Sequence, residues 1–248
     1  IPADKDGLAI IGINTGRTQG GLPQLKVGTT TTQALLTIRA PGCLIANLGI
    51  NGAGATGGGI LLDDDGSTKT AIGTTLFNCH YKNCKGTTST DARTGGAIQW
   101  SSNGGAWQVL ISESRFYRNV GDIVLLGTAQ TVPQDVVIED CIFSGPAASV
   151  DCNLYLAGGS GMNGLIIRRC DFTAMPAIAA GSVVRYMDLT GCIGQISNCN
   201  FSSIVSNTGS EGTFAAAGSL AKIPATMFIA GCRGETTTVN EMGEIFRT

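Results

Sequence analysis

The 248 residues carry 43% hydrophobic side chains and 36 glycines but only 14% charged residues, with a formal net charge of -2. Such a chain can bury a sizeable core, which excludes an intrinsically disordered protein. It offers no basic footprint for nucleic acid, and runs such as "LAIIGI" (8–13) fall short of the roughly 18 to 20 apolar residues that a membrane-spanning helix needs, so neither nucleic-acid binding nor membrane insertion is expected.

The chain opens with "IPADKDG", without an initiator methionine or the basic, apolar and small-residue order of a signal peptide, and reads as a processed or trimmed product. Residues 1–40 read as entry strands, 41–234 as stacked coils and 235–248 as a C-terminal cap, all in one domain.

From residue 45 a phrase returns seven times: aliphatic, any, turn-former, Cys, any, aromatic. In chain order the copies are "IANLGI" (45–50), "LFNCHY" (76–81), "ISESRF" (111–116), "IEDCIF" (138–143), "IRRCDF" (167–172), "ISNCNF" (196–201) and "IAGCRG" (229–234). Their Cys-equivalent positions lie 27 to 35 residues apart, which means fixed strands joined by loops of variable length. Between them lies a second, alternating apolar phrase: "GGILLDD" at 58, "GGAIQWS" at 95, "GDIVLLG" at 121, "CNLYLAG" at 152, "RYMDLTG" at 185 and "GTFAAAG" at 212. Each repeat thus holds at least two short strands, with Gly, Ser, Thr and Asn turns and no helical periodicity.

This pattern predicts an all-β, single-stranded parallel β-helix of about seven coils, each burying its apolar face against the next. A leucine-rich repeat has a similar signature and period, but it usually returns through a helix or tight turn rather than a second β-like phrase. Within the coil, Ile138, Cys141 and Phe143 are expected inward, with Asp140 at a bend where a left-handed backbone is tolerated. Cys79, Cys141, Cys170, Cys199 and Cys232 then form an internal ladder of reduced, buried thiols without metal, cysteine serving there as a small hydrophobe. Tyr81, Phe116, Phe143, Phe172 and Phe201 form a parallel stack. Cys43, Cys84, Cys152 and Cys192 fall outside the ladder.

These coils resemble right-handed parallel β-helix proteins of the pectate-lyase-like class, which include pectinolytic enzymes, tailspikes and other virion-associated proteins of tailed bacteriophages. The opening segment is similar to the entry of a β-helix in phage structural proteins, with its "GLAIIG" strand, "GR" to "P-L" turn and "I-N-I-G" strand. The resemblance implies a right-handed coil and a structural or receptor-facing component of a phage-like particle, at the virion or another extracellular surface. By the same analogy it implies a homo-oligomer, a trimer first, with a surface polysaccharide as a partner. Its motifs specify architecture rather than chemistry.

The enzymatic alternative, a polysaccharide lyase or glycoside hydrolase, rests on Asp63, Asp122 and Asp188 beside the second-phrase strands. Two coils apart at each step, they are expected on the order of 10 Å apart, near the roughly 6.5 to 9.5 Å of an inverting carboxyl pair. Arg168 and Arg169 could hold an acidic sugar, and Tyr155, with Trp100 and Trp107, could stack on a sugar in a non-catalytic carbohydrate-binding β-helix. Trp100 fits an inward position better. No cofactor and no metal are expected: "GAGATG" (52–57) precedes a strand rather than a helix, and "DDDGS" (63–67) breaks the EF-hand spacing. His80 reads as a surface residue, and the "NFS" sequon at Asn200 lies inside the repeat.

Overall fold

The computed structural model describes residues 1–13, 21–28, 33–53, 59–64, 70–85, 95–101, 106–126, 132–144, 152–173, 185–201 and 221–234. Short strands fall into three parallel sheets, here A, B and C, of eight, eight and seven strands. The chain visits A, B and C in turn, so each circuit is one coil of a parallel β-helix, as the repeat predicts.

The fifth coil shows how sequence makes the shape. Val137–Glu139 lies in sheet A, Ile142–Ser144 in sheet B and Cys152–Tyr155 in sheet C. Ile138 and Phe143 are buried, while Val137, Glu139, Ile142 and Ser144 alternate outward and stay half-buried. Between sheets A and B stands Asp140, with φ of 53°. This left-handed residue turns the chain and sends Cys141 inward. The same bend recurs at Asn47, Asn78, Glu113, Arg169, Asn198 and Gly231. Glycine and asparagine suit that backbone, whereas an ordinary side chain such as that of Glu113 or Arg169 adopts it at a cost of roughly 1 to 2 kcal/mol.

All seven phrases form strands in sheets A and B. An eighth coil precedes them: Ala9–Ile11 pairs with Leu44–Ala46, Gln24–Lys26 with Gly49–Asn51, and Leu36–Ile38 with Ile60–Leu62. The entry strands are therefore the first layer of the stack itself. In sheet C, the expected inward residues Ile60, Leu62, Ile98, Trp100, Ile123, Leu125, Leu154, Leu156, Met187 and Leu189 are all buried. The phrase at 212–218 lies outside the described residues, as does the expected cap at 235–248; the strand that pairs with Arg185–Asp188 on its far side is Ala221–Lys222.

Register carries the columns along the axis. Tyr81, Phe116, Phe143, Phe172 and Phe201 stack with successive ring centroids 4.8, 4.8, 4.7 and 4.9 Å apart, the separation of hydrogen-bonded strands, so backbone pairing sets the stacking distance. Beside them, Cys79, Cys141, Cys170 and Cys199 are buried free thiols, while Cys232, at the last described coil, is only half-buried. Each ladder thiol donates to the carbonyl two residues before it, from 3.2 Å at Cys141 to 3.6 Å at Cys232. Cys43, Cys84 and Cys192, outside the ladder, are also buried and free.

Candidate functional site

The three candidate carboxylates share sheet C but not a column. Asp63 lies just beyond Ile60–Leu62, Asp122 just before Ile123–Leu125, and Asp188 within Arg185–Asp188, level with Tyr155. Two coils separate each pair along the axis, and the strand registers add sideways offsets of four residues for Asp63 to Asp122 and two for Asp122 to Asp188. Strand geometry puts their backbones about 16 Å and about 12 Å apart. The expected row near 10 Å does not form, because equivalent coils do not mean equivalent positions within the strand.

Each acid is instead held by its own neighbours. Asp63 accepts from Arg39 Nε at 2.8 Å, a residue at the same register position one coil earlier. Asp188 accepts from the Thr190 hydroxyl at 2.7 Å and from its N–H at 3.2 Å. Asp122, 2% exposed, accepts from Asn119 Nδ2 at 2.8 Å and Asn153 Nδ2 at 2.7 Å. Burial pushes its carboxyl up to about 7, against the two amides, which pull it down. Asn119 also accepts from the Cys84 N–H and donates to the Tyr81 carbonyl, so this buried corner ties coil four to coil three.

Arg168 and Arg169 sit at the A/B bend and are engaged by the preceding coil. Arg168 reaches Glu139 Oε2 at 2.6 Å, and Arg169 grips both oxygens of Asp140 at 2.8 and 2.7 Å. That fork-to-fork pair holds the Asp140 carboxyl below its ordinary range. Glu113, Arg115, Asp140, Asn78 and Ile142 line a shallow polar groove of about 340 Å³ beside this network. Sequence reading passed over it, although the signal was present: its residues are bend and first sheet-B positions of successive repeats. Mixed charge and amide groups equip it for hydrogen bonding to a polar ligand.

His80 corrects the sequence reading. It does point outward from sheet B, but it is buried, with neither ring nitrogen hydrogen-bonded. Burial and the Arg115 charge hold its imidazole below the usual range and thus neutral. Tyr155 is half-buried on the outward side of sheet C, between Val124 and Asp188 in the coils on either side. Trp100 is inward, its Nε1 donating to the Ala106 carbonyl at 2.9 Å, whereas Trp107 is 40% exposed. Asn200 donates to Asp171 Oδ1 at 2.7 Å. Most of "GAGATG" and of "DDDGS" lies outside the described residues. Among the described residues no three His, Cys, Asp or Glu side chains converge as metal ligands, and no helix is long and apolar enough to cross a membrane.

No family model matches the chain, and no curated protein matches it. Among solved structures, one named "Geobacillus virus E2 - ORF18" is similar, with a TM-score of 0.57 over 93% of this chain at 13% sequence identity. The chain spans 41% of the length of that structure. At this identity the likeness shows a shared fold, the parallel β-helix.

Proposed function

We propose that the chain is a structural or receptor-facing β-helix of a phage-like particle, such as a spike, fibre or decoration protein, and that it works as a homo-oligomer, with a trimer as the first expectation. The observation that carries this reading is the shared fold over 93% of the chain with a protein of a virus. Supporting it, the polar side chains singled out from the sequence are largely engaged in holding one coil to the next: Arg39 with Asp63, Arg168 with Glu139, Arg169 with Asp140. A receptor-facing role would set the polar outer face of sheet B, with its groove, against a surface polysaccharide.

The test is mass spectrometry of purified particles from the source of the sequence, with immunogold labelling by an antibody to this chain. A fixed copy number per particle is expected. Its absence from particles, together with sugar release lost in Asp122→Asn or Asp188→Asn, would replace this reading with that of a polysaccharide lyase or hydrolase.

A further inference from the structure

Four successive coils place a thiol at the same inward position. Sheet B runs in register through Ile142, Asp171, Asn200 and Arg233, so Cys141, Cys170, Cys199 and Cys232, one residue earlier in each coil, stand above one another. Thiol lies against thiol: Cys170 has Cys141 on one side and Cys199 on the other, and Cys199 has Cys232 beyond it. All four are free. Packing accounts for a column of small, polarizable side chains, and the same column has the geometry of a ligand pair.

Spacing is the informative quantity. The same strand pairing sets the aromatic column two residues along, where rings are 4.7 Å apart from Phe143 to Phe172 and 4.9 Å from Phe172 to Phe201. A metal–thiolate bond is about 2.3 Å, as in zinc sites, so a linear sulfur–metal–sulfur unit spans about 4.6 Å. Inward side chains leave a sheet roughly at right angles to it. An ion between two ladder sulfurs therefore lies on the column axis, across both Cβ–Sγ bonds, and neither strand has to move. A disulfide fits less well, because its sulfurs are about 2 Å apart with a torsion near 90°, which parallel side chains at strand spacing reach only by twisting together.

Geometry and charge also select the ion. Structural zinc takes four ligands in a tetrahedron, whereas among the described residues no three His, Cys, Asp or Glu side chains converge. Two sulfurs in line suit a soft, two-coordinate ion. The ladder borders the buried apolar core of Ile167, Phe172, Ile196 and Phe201, where an uncompensated charge is costly. A divalent ion that displaces both thiol protons leaves a neutral unit, while silver(I) or copper(I) between two thiolates leaves a negative one. Access singles out one pair. Cys141, Cys170 and Cys199 are buried, but Cys232 is half-buried, as are Ile229 and Ala230 beside it.

We propose that Cys199 and Cys232 form a two-coordinate site for a soft divalent cation of the mercury(II) type, entered from the Cys232 side. Binding forms two Sγ–metal bonds, releases two protons to water and ties the seventh coil to the eighth. The test titrates the reduced chain with mercury(II) chloride, up to one ion per chain and with glutathione as competitor, followed by native mass spectrometry and X-ray absorption. One bound ion with two sulfur neighbours is expected. Cys199→Ser and Cys232→Ser should each lower the affinity at least about 100-fold, since the second bond is then no longer intramolecular. Cys43→Ser, at a buried thiol outside the ladder, should leave it unchanged. Serine already occupies this column as Ser114, its hydroxyl donating to the Ser112 carbonyl, and circular dichroism checks that each variant folds. A single sulfur neighbour in wild type, or an affinity that Cys199→Ser leaves intact, would show Cys232 acting as one surface thiol and overturn the proposal. Equal loss in Cys43→Ser would place the ion elsewhere and overturn it as well.

Discussion

Tyr81 stacks on Phe116 with ring centroids 4.8 Å apart and planes 8° from parallel, yet its buried hydroxyl has no well-formed hydrogen bond and only the Cys79 thiol, a weak partner, beside it. The four rings that follow it in the stack are all phenylalanine. The ring is therefore what the column uses, and the weak thiol contact compensates the hydroxyl's desolvation only in small part. Tyr81→Phe is expected to stabilise the protein by about 1 kcal/mol, read as a rise in urea midpoint at constant m. An unchanged or lowered midpoint would show that the hydroxyl has a partner.

The cysteine ladder leads to a second expectation. Coil four has Ser114 where its neighbours have cysteine, and its hydroxyl donates to the Ser112 carbonyl at 2.9 Å. Cys170 makes the same contact to the Arg168 carbonyl at 3.4 Å. A hydroxyl at position 170 would thus find a partner, and Cys170→Ser should cost under about 1 kcal/mol, less than Cys170→Ala, which leaves a small void. In the native state the buried thiols should resist alkylation, since burial pushes Cys79 up to about 11 and Cys84 to about 12. Rapid labelling of Cys79 or Cys84 before unfolding, followed by mass spectrometry, would contradict this.

Coils were legible in the sequence because their inward columns repeat residue types that few other folds align: Cys141, Cys170 and Cys199, then Phe143, Phe172 and Phe201. The first coil was missed because it has Gly12 at the bend and Leu25 in the aromatic column, with a longer connection between its strands. The site was less legible. The Arg168–Glu139 and Arg169–Asp140 pairs join positions one repeat apart, so reading each copy alone left the arginines free. His80 shows the limit of alternation: it gives direction, not exposure.

Gly161 separates packing from backbone strain. Its φ is +79°, and a Cβ there would meet the Gly191 backbone of the next coil at less than a van der Waals contact. Gly7 has a similar φ, +69°, with nothing near a Cβ. Gly7→Ala should cost about 1 kcal/mol, the left-handed penalty alone, while Gly161→Ala should cost at least twice as much because two backbones must part. Equal losses in thermal unfolding would mean that the coils adjust freely there.

Asp122 makes stability depend on pH in an unusual direction. Its carboxyl titrates near 7 in the folded state but near 4 when unfolded, so the folded state holds the proton more tightly. The stabilisation is fully present below about pH 4 and is lost as pH rises through 7, an effect of a few kcal/mol. Two other groups act oppositely. Asp140, held low by Arg169, withdraws stability as pH falls below its unfolded value near 4, and His80, held neutral by burial, withdraws it as pH falls below about 6.5. Subtraction removes both: Asp122→Asn leaves them in place, so the difference between wild type and variant reports Asp122 alone. Urea unfolding from pH 4.5 to 8 should show the variant gaining on wild type by a few kcal/mol as pH rises. A difference that stays flat across that range would mean that Asp122 titrates as an ordinary carboxylate and is ionised in its buried corner throughout.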